Sequence, residues 1–220
     1  GKFMMANASL HGYAFPAGYL DVLGTETDWF PEGEWQPMTD ESMAFRRALC
    51  RQKPYCFLLN THYADVDLTE IERYMQRCLF YGMYPGFFSE NASTDCFFEN
   101  PEWYEPARPL FKKYIPLLRM IGSAGWQAVT HARADGGAYI ERYGEPESGA
   151  LFFSLLNESP GESSTRVTID LASLALAGRP LRIQELVTGT TPPSSESQGQ
   201  LRLELVLPPH SARLLSLTVD

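Results

Sequence analysis

The sequence predicts an α/β region followed by an all-β region. Three observations carry this. Short apolar runs alternate with helical stretches up to about residue 125, which is the pattern of parallel strands covered by helices. From Trp126 onward helical periodicity stops, and polar/apolar alternation with Gly/Pro/Ser turns takes over. Each early apolar run also ends in polar residues: Asn7, Glu26, Asn60 with His62, and Ser89 with Glu90. Polar strand ends on a parallel sheet suit the mouth of a (β/α)8 TIM barrel, where the active site is built at the carboxyl ends of the strands. Four strands in 125 residues make about half of a barrel of about 250. The reading is therefore a C-terminal half of a TIM barrel over residues 1–125, with its N-terminal part missing, and an antiparallel β-sandwich over 126–220.

The elements follow in order. Phe3–Asn7 reads as an apolar strand, and Tyr19–Gly24 as a second. Asp40 reads as the N-cap of a helix continued by Met43, Ala44, Arg47, Ala48 and Cys50. Tyr55–Leu59 is a third strand. A helix from about Thr69 to Tyr81 places Ile71, Met75, Cys78 and Leu79 at helical spacing and ends at Gly82. Tyr84–Ser89 is a short fourth strand. A long helix begins at Pro101 or Glu105 and runs to Gly122, with Pro106 and Pro109 in its first turns and Pro116 expected to kink it. Seven strands are expected beyond it: 127–133, 138–143, 150–157, 166–171, 181–185, 201–207 and 211–219, with 188–199 as a loop.

Composition narrows the partners. The chain has 220 residues and a net charge of -9, and the second region carries seven Arg and no Lys against eleven acids. Phosphate binding needs clustered bases, so a nucleic-acid partner is not expected. No apolar run is long enough to span a membrane, so no membrane partner is expected either. The four cysteines form no metal spacing, and His11, His131 and His210 are scattered, so no metal is expected. The cysteines read as buried free thiols. Phosphate-loop, GxSxG, HExxH and calcium-loop patterns are missing, and no cofactor is expected. Nothing in the sequence sets an oligomeric state. The opening Gly1-Lys2-Phe3-Met4-Met5 reads as the interior of a buried strand, so the chain is expected to be part of a longer protein.

Half a barrel followed directly by a sandwich resembles the C-terminal part of a bacterial glycoside hydrolase, and in domain order the α-galactosidase clan. Three segments carry the resemblance: Arg73–Ser89, which looks like a late helix-strand step of such barrels; Arg108–Leu117; and Val206–Leu215, which looks like the final hairpin of such sandwiches. The resemblance implies cleavage of glycosidic bonds in oligo- or polysaccharides by two carboxyl groups, a carbohydrate substrate and no cofactor. It also implies a general acid at the end of the sixth strand. Counting back from the sandwich makes that strand Tyr19–Gly24.

The candidate carboxylates near strand ends are Asp21, Glu26, Asp28, Asp65, Asp67 and Glu90. Glu26 is the first choice as a catalytic group, because it follows an apolar strand and a Gly. Asp28 and Asp21 are its rivals, since the clan's usual acid is Asp. The clan's nucleophile comes from the fourth strand, which would precede Gly1, so this stretch alone is expected to be inactive. Asn7, Asn60, His62 and Tyr63 are candidate substrate ligands. Asn7 also suits a turn, and His62 also suits a loop bridge. Trp29, Phe30, Trp35 and Tyr63 lie in loops where aromatic faces could pack on sugar C–H groups, or serve as core. Phe97, Phe98, Trp103 and Tyr104 read as packing between barrel and sandwich, and Asn91–Ser93 matches a glycosylation pattern. Two other functions fit the pattern. One is a non-catalytic carbohydrate-binding barrel. The other is a glycan transferase, which would form product only with an acceptor sugar.

Overall fold

The computed structural model describes residues 2–7, 15–89 and 96–219. His11, Glu90 and the Asn91–Ser93 pattern lie outside the described residues. The chain mixes helix and sheet, and it divides into two compact units, Gly1–Leu118 and Arg119–Asp220.

The first unit holds a parallel sheet of three strands in the order β1 (Met5–Ala6), β2 (Val22–Thr27), β3 (Tyr55–Leu59). Helix α1 (Asp40–Cys50) lies between β2 and β3 in sequence, and α2 (Leu68–Tyr81) follows β3. The second strand is shifted three residues from its expected position. Tyr19 closes a turn through Pro16 O at 2.9 Å, and Lys53 Nζ binds the carbonyls of Ala17 and Gly18 at 2.9 and 2.8 Å. Residues 15–19 are therefore committed to a turn. The polar run Thr25-Glu26-Thr27 continues the strand instead, because its backbone pairs with Phe57, Leu58 and Leu59 of β3. Backbone pairing overrides the polar side chains here.

Helix α1 is capped by Thr39, whose hydroxyl accepts from Ser42 N at 3.3 Å, rather than by Asp40. Asp40 serves instead as the acceptor for Arg77 Nη2 at 2.7 Å and for the Tyr81 hydroxyl at 2.5 Å. Helix α2 opens on a reciprocal capping box between Asp67 and Glu70 and ends at Gly82 in the left-handed conformation. The expected fourth strand is present as bridges: Tyr84 pairs with Cys56, and Phe87 with Leu59, both parallel. Gly86 is obligatory there, since a Cβ would fall 1.6 Å from Phe57 O. Trp29, Phe57 and Tyr74 interlock at ring distances of 5.0–5.2 Å and are fully buried. Helix α3 (Pro101–Ala124) is one helix that includes Pro106, Pro109 and Pro116.

The second unit is all antiparallel. Its strands are β4 (Trp126–Gln127), β5 (Ala132–Ala134), β6 (Tyr139–Tyr143), β7 (Ala150–Asn157), β8 (Ser163–Asp170), β9 (Leu181–Glu185), β10 (Ser194–Ser197), β11 (Gln200–Leu207) and β12 (Ser211–Val219). They form a sheet ordered β10-β11-β8-β5 and another ordered β4-β6-β7-β12-β9. Inward residues of both sheets, among them Phe153, Leu155, Leu215, Val167, Ile169 and Leu203, belong to one buried cluster. Two expectations need correcting. The stretch 127–133 is not one strand: its ends join different sheets, and His131 takes a positive φ of 52° in the bend between them. The loop 188–199 contains β10, an edge strand exposed on both faces. Such a strand carries no apolar alternation to read.

Candidate active site

The carboxyl ends of β1, β2 and β3 bring three of the expected residues to one edge of the sheet. Asn7 follows β1, Glu26 is the penultimate residue of β2, and Asn60 follows β3. Parallel pairing in register explains this, because adjacent parallel strands end side by side. Asn7 and Glu26 are joined twice. Asn7 Nδ2 donates to Glu26 Oε1 at 2.7 Å, and Glu26 N donates to Asn7 Oδ1 at 3.0 Å. The pair of bonds fixes which way the Asn7 amide points. The glutamate remains exposed, so its carboxylate is held at the sheet edge and open to a ligand. Asn60 N donates to Thr27 O at 2.8 Å, and its side-chain Oδ1 is buried without a hydrogen-bond partner.

The other expected residues fall elsewhere. Asp21 immediately precedes β2, about 16 Å from Glu26 at an ordinary strand rise. Its carboxylate accepts from Met4 N at 2.8 Å, so it tethers the amino end of the sheet. Asp28 is exposed one residue beyond β2, and its Oδ1 accepts from Phe30 N at 2.9 Å in a local turn. His62 is exposed and bonds Asp65 Oδ2 through Nδ1 at 2.9 Å, a loop bridge.

Three of the four loop aromatics, Trp29, Phe30 and Tyr63, are core. Trp29 has no exposed surface. Tyr63 is 3% exposed; its hydroxyl donates to Leu59 O and accepts from Phe88 N at 3.1 Å. Burial pushes its hydroxyl well above the usual tyrosine range, so it stays protonated at neutral pH. Trp103 and Phe97 pack on Tyr63 at ring distances of 5.6 and 4.8 Å.

The thiols follow the same pattern. All four cysteines are free; Cys50 and Cys78 are buried, and Cys56 and Cys96 half-buried. Burial pushes the Cys50 thiol up to about 12, which leaves it without nucleophilic character at neutral pH.

No family model matches the sequence, and no curated relative does. Solved structures do match. A noncanonic maltogenic α-amylase from Thermotoga neapolitana aligns with a TM-score of 0.55 at 12% identity, covering 100% of this chain and 55% of the amylase. A GH27 β-L-arabinopyranosidase from Geobacillus stearothermophilus aligns at 0.42 and 14% identity, covering 93% and 59%. A GH30 endoxylanase from Clostridium papyrosolvens aligns at 0.44 and 9%, covering 93% and 50%. The fold of the chain is similar to that of the amylase. It spans about half the length of the structures it matches.

Proposed function

We propose that this chain is the C-terminal half of a (β/α)8 barrel with its following β-sandwich, and that the complete barrel hydrolyses glycosidic bonds. The observation that carries the reading is the Asn7–Glu26 lock. An exposed carboxylate stands at the carboxyl edge of a parallel sheet, oriented by a side-chain amide from the neighbouring strand. Glycoside hydrolysis needs such a held carboxyl group as acid, base or nucleophile, paired with a second across the sugar. Asn7 is the positioning residue. Asn60, at the next strand end, is suited to bind a substrate hydroxyl. Asp28 stands close enough in sequence to be the rival carboxylate. The sheet itself supports incompleteness. Phe3 and Met4 just before β1, and Met5 in it, are 86%, 54% and 47% exposed, whereas a strand inside a parallel sheet is ordinarily covered. Further parallel strands would cover this edge and supply the second carboxylate.

In this reading Glu26 exchanges a proton with the glycosidic oxygen or the attacking water, or attacks the anomeric carbon. Its Oε1 is engaged by Asn7, so Oε2 faces the substrate. The test is hydrolysis of a panel of nitrophenyl glycosides by the complete barrel protein and by its Glu26→Gln variant. A loss of at least about a hundredfold in turnover with an unchanged melting temperature supports the assignment. Near-normal turnover removes Glu26 from the catalytic pair.

A further inference from the structure

Beside β3, the turn Tyr63–Asp65 and the first turns of α2 and α3 line an open groove of about 370 Å³. That volume lies within the range of small-molecule sites, about 300–1,000 Å³. The groove has two chemistries. Tyr63, Ile71 and Phe97 are buried beneath it, and half-buried Trp103 forms an aromatic wall. Two exposed acids, Asp67 and Glu102, stand at its rim.

No Lys or Arg lines it among the described residues. Two backbone donors at the start of α2 are engaged by the capping box. Glu70 N donates to Asp67 Oδ1, and Asp67 N donates to Glu70 Oε2, each at 2.9 Å. The two carboxylates at the rim repel an anion. Tyr63 offers nothing further, since its hydroxyl already makes both of its bonds. What remains is an apolar, aromatic wall beside two carboxylates, which only accept hydrogen bonds. Its complement is a ligand with a C–H face, several O–H donors and no negative charge.

We propose that this groove is a binding site for a neutral sugar ring, separate from Glu26, with Trp103 packing on the sugar face and Glu102 and Asp67 accepting from its hydroxyls. The proposal rests on the carbohydrate reading above and adds a selectivity to it: neutral sugars over uronates. It also gives a role to Trp103 beyond packing.

The experiment is saturation-transfer NMR and calorimetric titration on the full chain. The probes are methyl α-D-glucoside, methyl β-D-galactoside, methyl β-D-xyloside and D-glucuronate. At least one neutral glycoside is expected to bind, and glucuronate is not. Trp103→Ala is expected to abolish that binding. Glu102→Gln, an exposed change that leaves packing untouched, is expected to weaken it about fivefold, the worth of one hydrogen bond. Binding that is equal in wild type and Glu102→Gln, or glucuronate binding as tight as that of the neutral sugars, overturns the proposal. So does a lack of binding by every neutral probe. The two readings fail separately. Hydrolysis by the complete barrel with no groove binding overturns only the groove. Groove binding with hydrolysis untouched by Glu26→Gln overturns only the catalytic assignment.

Discussion

Glu26 in the parallel unit and Glu185 in the antiparallel unit are both strand-end glutamates held by hydrogen bonds, and they have opposite surroundings. Glu185 is 1% exposed. Its Oε1 accepts from Val187 N at 2.8 Å and Leu214 N at 3.2 Å. Its Oε2 accepts from Thr188 N at 2.9 Å and from the Thr188 hydroxyl, with Arg213 Nε 3.8 Å away. Both oxygens are consumed by the chain itself, so this carboxylate is a tie between a turn and β12. Glu26 is exposed and gripped on one oxygen by a single amide. A carboxylate with all acceptor positions filled internally stabilises a fold. One that is oriented but only half satisfied can act on something outside it.

The sharpest way to break that comparison is to remove both side chains and measure stability. Glu185→Ala leaves three backbone N–H groups without their acceptor, at about 1–3 kcal/mol for a buried group. The sum is not additive, and a loss of about 3 kcal/mol is expected from urea unfolding at neutral pH. Glu26→Ala is expected to stay within about 0.5 kcal/mol of wild type, as exposed changes usually do. Equal losses would erase the distinction.

Activity reverses the ranking. In the complete barrel, Glu26→Gln is expected to lose at least about a hundredfold in turnover, whereas a Glu185→Gln protein that still folds keeps its turnover. Asn7→Ala is expected to cost about tenfold in kcat with KM little changed, because it frees the carboxylate to leave its reactive orientation without removing it. A KM effect alone would make Asn7 a substrate ligand rather than a positioning residue.

The sequence exposed some of this and hid the rest for physical reasons. Helix α2 was legible because its apolar face and Gly82 agree, while its Asp67 cap was read only as a carboxylate near a strand end. Strand β3 was legible because Tyr55–Leu59 is wholly apolar. The apolar run Phe3–Met5 looks the same in sequence, yet it is exposed where Tyr55, Phe57 and Leu59 are at most 1% exposed. Strand identity is local, but burial depends on neighbours. The Asn7–Glu26 meeting was half legible. Polar residues at strand ends marked both, but their hydrogen bonds depend on a register that only strand pairing sets. Trp29 and Tyr63 were open to both readings, platform or core, and are core, because aromatic residues in loops carry no mark of the direction they face. Glu185 gave no signal at all, since one acid in an alternating strand reads as an outward residue. Trp103 beside a groove needed α3 placed against the Tyr63 turn.

The smallest expected effect concerns Asp170, which makes a partial version of the Glu185 tie at the end of β8. Its carboxylate accepts from Ser173 N at 3.0 Å and from Ser173 Oγ at 2.7 Å. The backbone bond from Ser173, and then its hydroxyl, hold the Asp170 carboxyl below its ordinary value of 3.8. A value lowered in the folded state means that the folded protein binds the proton less readily than the unfolded chain. The stabilisation is therefore complete above the ordinary value and is lost as pH falls through the folded one. Asp170→Asn keeps an oxygen to accept from Ser173 N but removes the charge and the titration. The wild type is expected to have the higher urea midpoint at about pH 6, and the two midpoints should converge as pH falls through the folded value, once the aspartate is protonated. Because the site is exposed, the difference at about pH 6 should be far smaller than that for Glu185→Ala. A gap that persists at low pH would mean that Asp170 acts through shape rather than charge, and that oxygen occupancy, not ionisation, is what separates the structural carboxylates of the antiparallel unit from Glu26.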